Sequence, residues 1–218
     1  MKNAIFKGLA IVTILLTSCT AEVYLGSGDI VSETRTLPSL DKLKVSGVFE
    51  VNIRYGTTQE VEIMADDNIL NKIRTRVINN KLVVDFKDGN YRNVSATINL
   101  TLEDLKEVHY TGSGFIEIDD FFELGTLDLE NIGSGSFYLN QGSSTKLKWR
   151  NEGSGSLDAK NFMASEINID IKGSGDSYVN CSELLDVAIE GSGNVYYLGE
   201  PTLNMNISGS GRVVRLNE

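Results

Sequence analysis

The chain has 218 residues, 41% of them apolar, with 20 lysines and arginines against 30 aspartates and glutamates and a formal net charge of −10. So acidic a chain lacks the basic face that nucleic acid or an anionic membrane surface demands, and its charge is read as serving solubility. Two prolines against 21 glycines indicate many tight backbone positions and no proline-rich linker.

Residues 1–18 read as a signal peptide, because Lys2 and Lys7 accompany an apolar run from Ile5 to Leu16 that leads into Leu16-Thr17-Ser18-Cys19. The run is too short to span a bilayer comfortably. Its end at small residues followed by Cys resembles the lipobox of bacterial lipoproteins, in which the cysteine carries the lipid. Cys19 is therefore the expected lipidation site and membrane anchor, with 19–25 as the linker behind it. The expected location is exported and lipid-anchored in the cell envelope, at the outer membrane on its periplasmic or surface face. Cys181 then stands alone, so neither an intramolecular disulfide nor a multi-cysteine metal site is expected, and no cofactor is implied. Loss of Lys2 and Lys7 with the leader moves the formal charge from −10 to −12.

The remainder, 26–218, reads as one β-solenoid domain, less regular over 26–107 and regularly repeated over 108–218. A first Gly-Ser-Gly starts at Gly26, and Val45-Ser46-Gly47-Val48-Phe49-Glu50-Val51 looks like a degenerate repeat lacking its first glycine. Val61 and Ile63 alternate in one strand, Leu82, Val84 and Phe86 in another after an Asn79-Asn80 turn, and Val94, Ala96, Ile98 and Leu100 in a third. Asp66-Asp67-Asn68 before Ile69, Leu70 and Ile73 predicts one short helix. This half is expected to act as a cap or an inserted lobe on the solenoid, since stacked strand edges need a cover.

From Gly112 onward the chain repeats. Gly-Ser-Gly begins at Gly112, Gly133, Gly153, Gly173, Gly191 and Gly209, at successive spacings of 21, 20, 20, 18 and 18 residues. Six and four residues before the first glycine stand Leu127 and Leu129, Leu147 and Trp149, Ile167 and Ile169, Leu185 and Val187, Leu203 and Met205. Four and six residues after it stand Ile116 and Ile118, Phe137 and Leu139, Leu157 and Ala159, Ser177 and Val179, Val195 and Tyr197, Val213 and Arg215. Alternation on both sides of a glycine corner predicts short strands with one face inward, each repeat forming one coil. A lone coil cannot bury enough apolar surface to offset its backbone ordering, so coils must stack. Ser177 departs from the apolar inward row, and Arg215 puts a charge in that row at the last coil, where it guards against edge aggregation.

Gly26-Ser27-Gly28, then Leu40-Asp41-Lys42-Leu43-Lys44-Val45-Ser46-Gly47, then Ala65-Asp66-Asp67-Asn68-Ile69-Leu70, then the Gly-Ser-Gly array, resemble in that order one bacterial family over about residues 24–217. It is the family of putative auto-transporter adhesins with a head GIN domain. The resemblance implies an all-β, right-handed parallel β-helix-like fold and an exported location, and it brings no catalytic residues to carry over.

Few residues invite catalysis. His109 is the only histidine, sits between Val108 and Tyr110 on a predicted strand, and points outward by alternation, so no Ser-His-Asp set can be assembled around it. Glu117, Asp119-Asp120 and Asp66-Asp67 lack the spacing of a calcium loop and suit turns or a helix start. The corners lack the lysine and helix of a phosphate loop. The outward position five residues after the first glycine carries Glu117, Tyr138, Asp158, Tyr178, Tyr196 and Val214. Stacking aligns these into a ladder whose Tyr138, Tyr178 and Tyr196 suit a sugar ring or a protein partner; the same ladder also serves to stabilise the sheet. The expected function is a non-catalytic, adhesin-like binding module of the cell envelope for an unidentified glycan or envelope protein. The alternatives are a polysaccharide-active enzyme using acidic residues on one face, and a structural envelope scaffold.

Overall fold

A computed structural model describes residues 22–217. The chain runs through β1 (Val23–Leu25), β2 (Ile30–Thr34), β3 (Lys42–Gly47), β4 (Glu50–Tyr55), β5 (Glu60–Asp66), α1 (Asp67–Leu70), β6 (Ile73–Ile78), β7 (Lys81–Phe86), β8 (Asn90–Arg92) and β9 (Ala96–Leu102). It continues through β10 (Glu107–Gly112), β11 (Phe115–Asp119), β12 (Phe121–Gly133), β13 (Ser136–Leu139) and β14 (Gly142–Gly153). It closes with β15 (Leu157–Gly173), β16 (Ser177–Gly191), β17 (Val195–Leu198), β18 (Thr202–Gly209) and β19 (Val213–Arg215).

Two parallel ladders meet at the glycine corner. One stacks β7, β3, β10, β12, β14, β15, β16 and β18. The other stacks β9, β4, β11, β13, the starts of β15 and β16, then β17 and β19. The corner glycines fall in register as a column: Gly47, Gly112, Gly133, Gly153, Gly173, Gly191 and Gly209. Five turns of solenoid therefore separate Gly112 from Gly209. The degenerate repeat around Gly47 is a true corner, whereas Gly26-Ser27-Gly28 is not. That tripeptide docks on α1, with Gly28 N–H donating to Asp66 Oδ1 at 2.7 Å and Ser27 Oγ–H to Asp67 Oδ1 at 2.7 Å.

The corner needs glycine for a reason visible at Gly153. Its φ is +147°, and a Cβ there would press into the carbonyl oxygen of Gly133 in the coil below. The intervening serine supplies its amide: Ser154 N–H donates to Gly133 O at 3.0 Å, and Ser174 N–H to Gly153 O at 3.0 Å. Each corner is thereby pinned to its neighbour.

Inside, the alternating residues form columns. The two rows read from the sequence upstream of the corner are buried from Leu127 and Leu129 to Leu185 and Val187. A further inward column lies two residues before the corner and is partly polar. Tyr110 Oη bonds the backbone of Phe49 and accepts Gly114 N–H at 2.6 Å, while Asn131 Nδ2 donates to Asn151 Oδ1 at 2.8 Å. Asn151 Nδ2 in turn donates to Gly155 O at 2.6 Å, so these side chains tie the corner to the core. Ser177 is fully buried because its Oγ accepts the indole N–H of Trp149 at 3.0 Å. A buried tryptophan needs that acceptor, which accounts for the polar residue in an apolar row.

The less regular half supplies two coil sections and an end cover. After β3–β4 the chain leaves through β5 and α1, returns by the β6–β7 hairpin, and lays β7 and β9 beneath β3 and β4. Asn79 and Asn80 make the hairpin turn with φ of 52° and 60°. β5 runs antiparallel to β9, β2 antiparallel to β5, and β6 antiparallel to β7, which closes that end of the stack. The single short helix stands where Asp66-Asp67-Asn68 predicted it, with Ile69 buried against the cap.

Candidate functional site

The outward row five residues after the corner is assembled coil by coil. Pairing aligns Asn52 with Glu117, Glu117 with Tyr138, Tyr138 with Asp158, Asp158 with Tyr178, Tyr178 with Tyr196 and Tyr196 with Val214. Tyr178 and Tyr196 stack with ring centroids 4.7 Å apart and planes 12° apart. Lys160 Nζ lies 5.1 Å from the centroid of the Tyr178 ring and 3.1 Å from Asp158 Oδ2. Tyr138 does not join that stack: Asp158 stands between, and its ring instead meets Phe115 edge-on at 6.3 Å. Two of the three tyrosines thus form one aromatic platform with a cation and a carboxylate beside it, and Tyr138, 40% exposed, forms a second one nearby.

A second surface, on the ladder before the corner, was not singled out from the sequence. Here a groove of about 540 Å³ runs over β14, β15, β16 and β18. Asp186 anchors it, accepting Asn168 Nδ2 at 3.3 Å and Asn204 Nδ2 at 2.7 Å, while Lys148 and Arg150 rim one side. Ala188 opens the groove, because the same position in the neighbouring coils carries Asp170 and Asn206. The signal is present in the sequence: the outward position five residues before the first glycine carries Lys148, Asn168, Asp186 and Asn204 in successive coils.

The remaining candidates have structural partners. His109 lies on the outer face of β10 between Glu107 and Glu130, with its imidazole against the Glu130 carboxylate. Asp66 is buried, its second oxygen accepting Ser95 N–H at 2.8 Å. Asp120 occupies a turn with φ of 65°. Among the described residues no group of three or more His, Cys, Asp or Glu side chains could hold a metal ion. Cys181 is buried, its Sγ 3.2 Å from Leu184 O, and burial pushes its thiol above the ordinary range. The signal peptide and Cys19 lie outside the described residues.

Stacked coils with a packed interior and aligned outward rows define a parallel β-solenoid built to display side chains. The chain belongs to the family described as "Putative auto-transporter adhesin, head GIN domain", which matches residues 39–201. Three solved structures share the fold. A putative adhesin from Bacteroides fragilis NCTC 9343 is 22% identical, with 88% of this chain and 100% of that one covered and a TM-score of 0.73. A putative lipid binding protein from Parabacteroides distasonis ATCC 8503 is 19% identical, with 90% and 100% covered and a TM-score of 0.55. A putative adhesin from Parabacteroides merdae ATCC 43184 is 20% identical, with 90% and 100% covered and a TM-score of 0.53. No curated protein matches the chain.

Proposed function

We propose that the protein is exported, anchored in the cell envelope by a lipid on Cys19, and acts as a non-catalytic binding module for a glycan or an envelope protein. The observation that carries this reading is the in-register outward row in which stacked Tyr178 and Tyr196 stand beside Lys160 and Asp158. Aromatic faces with a polar tip and adjoining charges suit the apolar faces and hydroxyls of sugars, and equally the aromatic-rich core of a protein contact. Family membership and structural likeness to proteins described as adhesins support the same reading. A second reading places the ligand in the Asp186 groove, favoured by its hydrogen-bonded Asn168–Asp186–Asn204 series.

A glycan array and an envelope-extract pull-down with residues 20–218 test both. The Tyr138→Ala/Tyr178→Ala/Tyr196→Ala variant, its fold checked by circular dichroism, is expected to lose at least about tenfold in affinity, since aromatic contacts contribute roughly 0.5–1.5 kcal/mol each. Binding lost instead in Asp186→Ala moves the site to the groove. A wild-type protein that binds no glycan and no envelope component overturns the binding module in favour of a scaffold.

A further inference from the structure

The last strand of the pre-corner ladder differs from every strand beneath it. β18 pairs with β16 on one side, and its other edge has no partner among the described residues. Its inward row is correspondingly open: Met205 is 56% and Ile207 39% exposed, where Val187 and Ile189 one coil below are buried. An open edge of this kind pairs with other chains unless charge, proline or a cover prevents it. At the opposite end of the solenoid the edge strands are charged, β2 by Glu33 and β6 by Arg74 and Arg76. Each other strand of the pre-corner ladder also carries charge. β18, with the sequence TLNMNISG, carries none; the charges at this end lie off the strand, at Glu200 before Pro201 and at Arg215 on β19, which pair with each other at 2.8 Å. Along the eight residues of β18 every second one turns its backbone N–H and C=O to the open edge, and the side chains alternate between apolar and uncharged polar.

We propose that this edge is a self-association surface and that two copies of the chain join through β18, antiparallel, about a two-fold axis normal to the sheet. An axis so placed keeps inward faces inward in both copies and gives an isologous contact. The strand is self-complementary under it. With Met205 opposite Met205 of the second copy, Leu203 meets Ile207 and Asn204 meets Asn206, so the apolar row continues across the junction and asparagine faces asparagine outside. A slip of one residue sets inward side chains against outward ones and is excluded by the period of the strand. The contact extends the same coil-on-coil packing that builds the rest of the molecule, and it does not involve the tyrosine row after the corner.

Sedimentation of residues 20–218 at tens of micromolar tests the proposal, with twice the monomer mass expected. The Asn204→Lys/Asn206→Lys variant sets like charges opposite one another and is expected to sediment as a folded monomer. Position 204 tolerates the change, because Asp186 lies beside it. The Asn204→Lys/Asn206→Asp variant sets a lysine opposite an aspartate in the antiparallel register, and is expected to restore the dimer. A monomeric wild type, or a dimer that survives the double lysine change, overturns the surface. Failure of the charge-reversed variant to reassociate overturns the antiparallel pairing.

Discussion

A single hydroxyl explains the one departure from the repeat. Ser177 interrupts an apolar row, and it does so because the indole of Trp149, 28 positions earlier in the chain and on the other ladder, reaches it through the interior. Ser177→Ala leaves a fully buried N–H without an acceptor, which costs about 1–3 kcal/mol and should appear as a lower urea midpoint with an unchanged slope. Adding Trp149→Phe to that variant removes the orphaned donor, so the double variant should lose less than the two single losses added together. Neither effect was legible in the sequence, where Ser177 registers as an anomaly but its partner does not. Asn131 and Asn151 escaped notice for a related reason: their row mixes Tyr, Asn and Ile, so no apolar periodicity marks it as inward.

At the level of the coil the molecule is modular. Residues 154–173 make one full period from corner to corner, and their neighbours on either side present matching registers at Gly153 and Gly173. Deleting 154–173 joins Gly153 to Ser174, recreates a Gly-Ser-Gly corner and lets β14 stack on the last coils. The shortened chain should fold with a strand-rich circular dichroism spectrum and lose about 1–3 kcal/mol, on the order of the mean stability carried by twenty residues. Deleting half a period should abolish folding, since it leaves a corner glycine out of its column and sets pre-corner strands against post-corner ones. These elements were the most legible part of the chain, because glycine corners and flanking alternation are local signals. The cap was less so. That β7 and β9 form a coil beneath β3 and β4, although they follow them in sequence, depends on pairings that no local pattern encodes.

For the whole molecule, stability at alkaline pH depends on buried weak acids. Burial pushes the Cys181 thiol and the Tyr110 phenol upward, partly offset in both by backbone hydrogen bonds, near Leu184 for the thiol and near Phe49 and Gly114 for the phenol. Below their ordinary values of about 8.5 and 10 both groups are protonated in either state and stability is undiminished. Above them the unfolded chain ionises first, so stability falls as pH rises. The urea midpoint should therefore decline between pH 8 and 9.5, and Cys181→Ala should flatten that decline even though it lowers the midpoint at pH 7. A decline identical in the variant would assign the effect elsewhere. The sequence by itself determined the repeat, the parallel coil, the inward rows and the short helix at the cap, because each follows from spacing within about twenty residues. Only the tertiary structure decided that Tyr178 stacks on Tyr196 while Tyr138 stands apart, that Asp186 gathers two asparagines into a groove, and that β18 presents an uncharged open edge. Those outcomes depend on which side chains successive coils bring into contact, and contact across coils is set by packing, which the one-dimensional repeat does not specify.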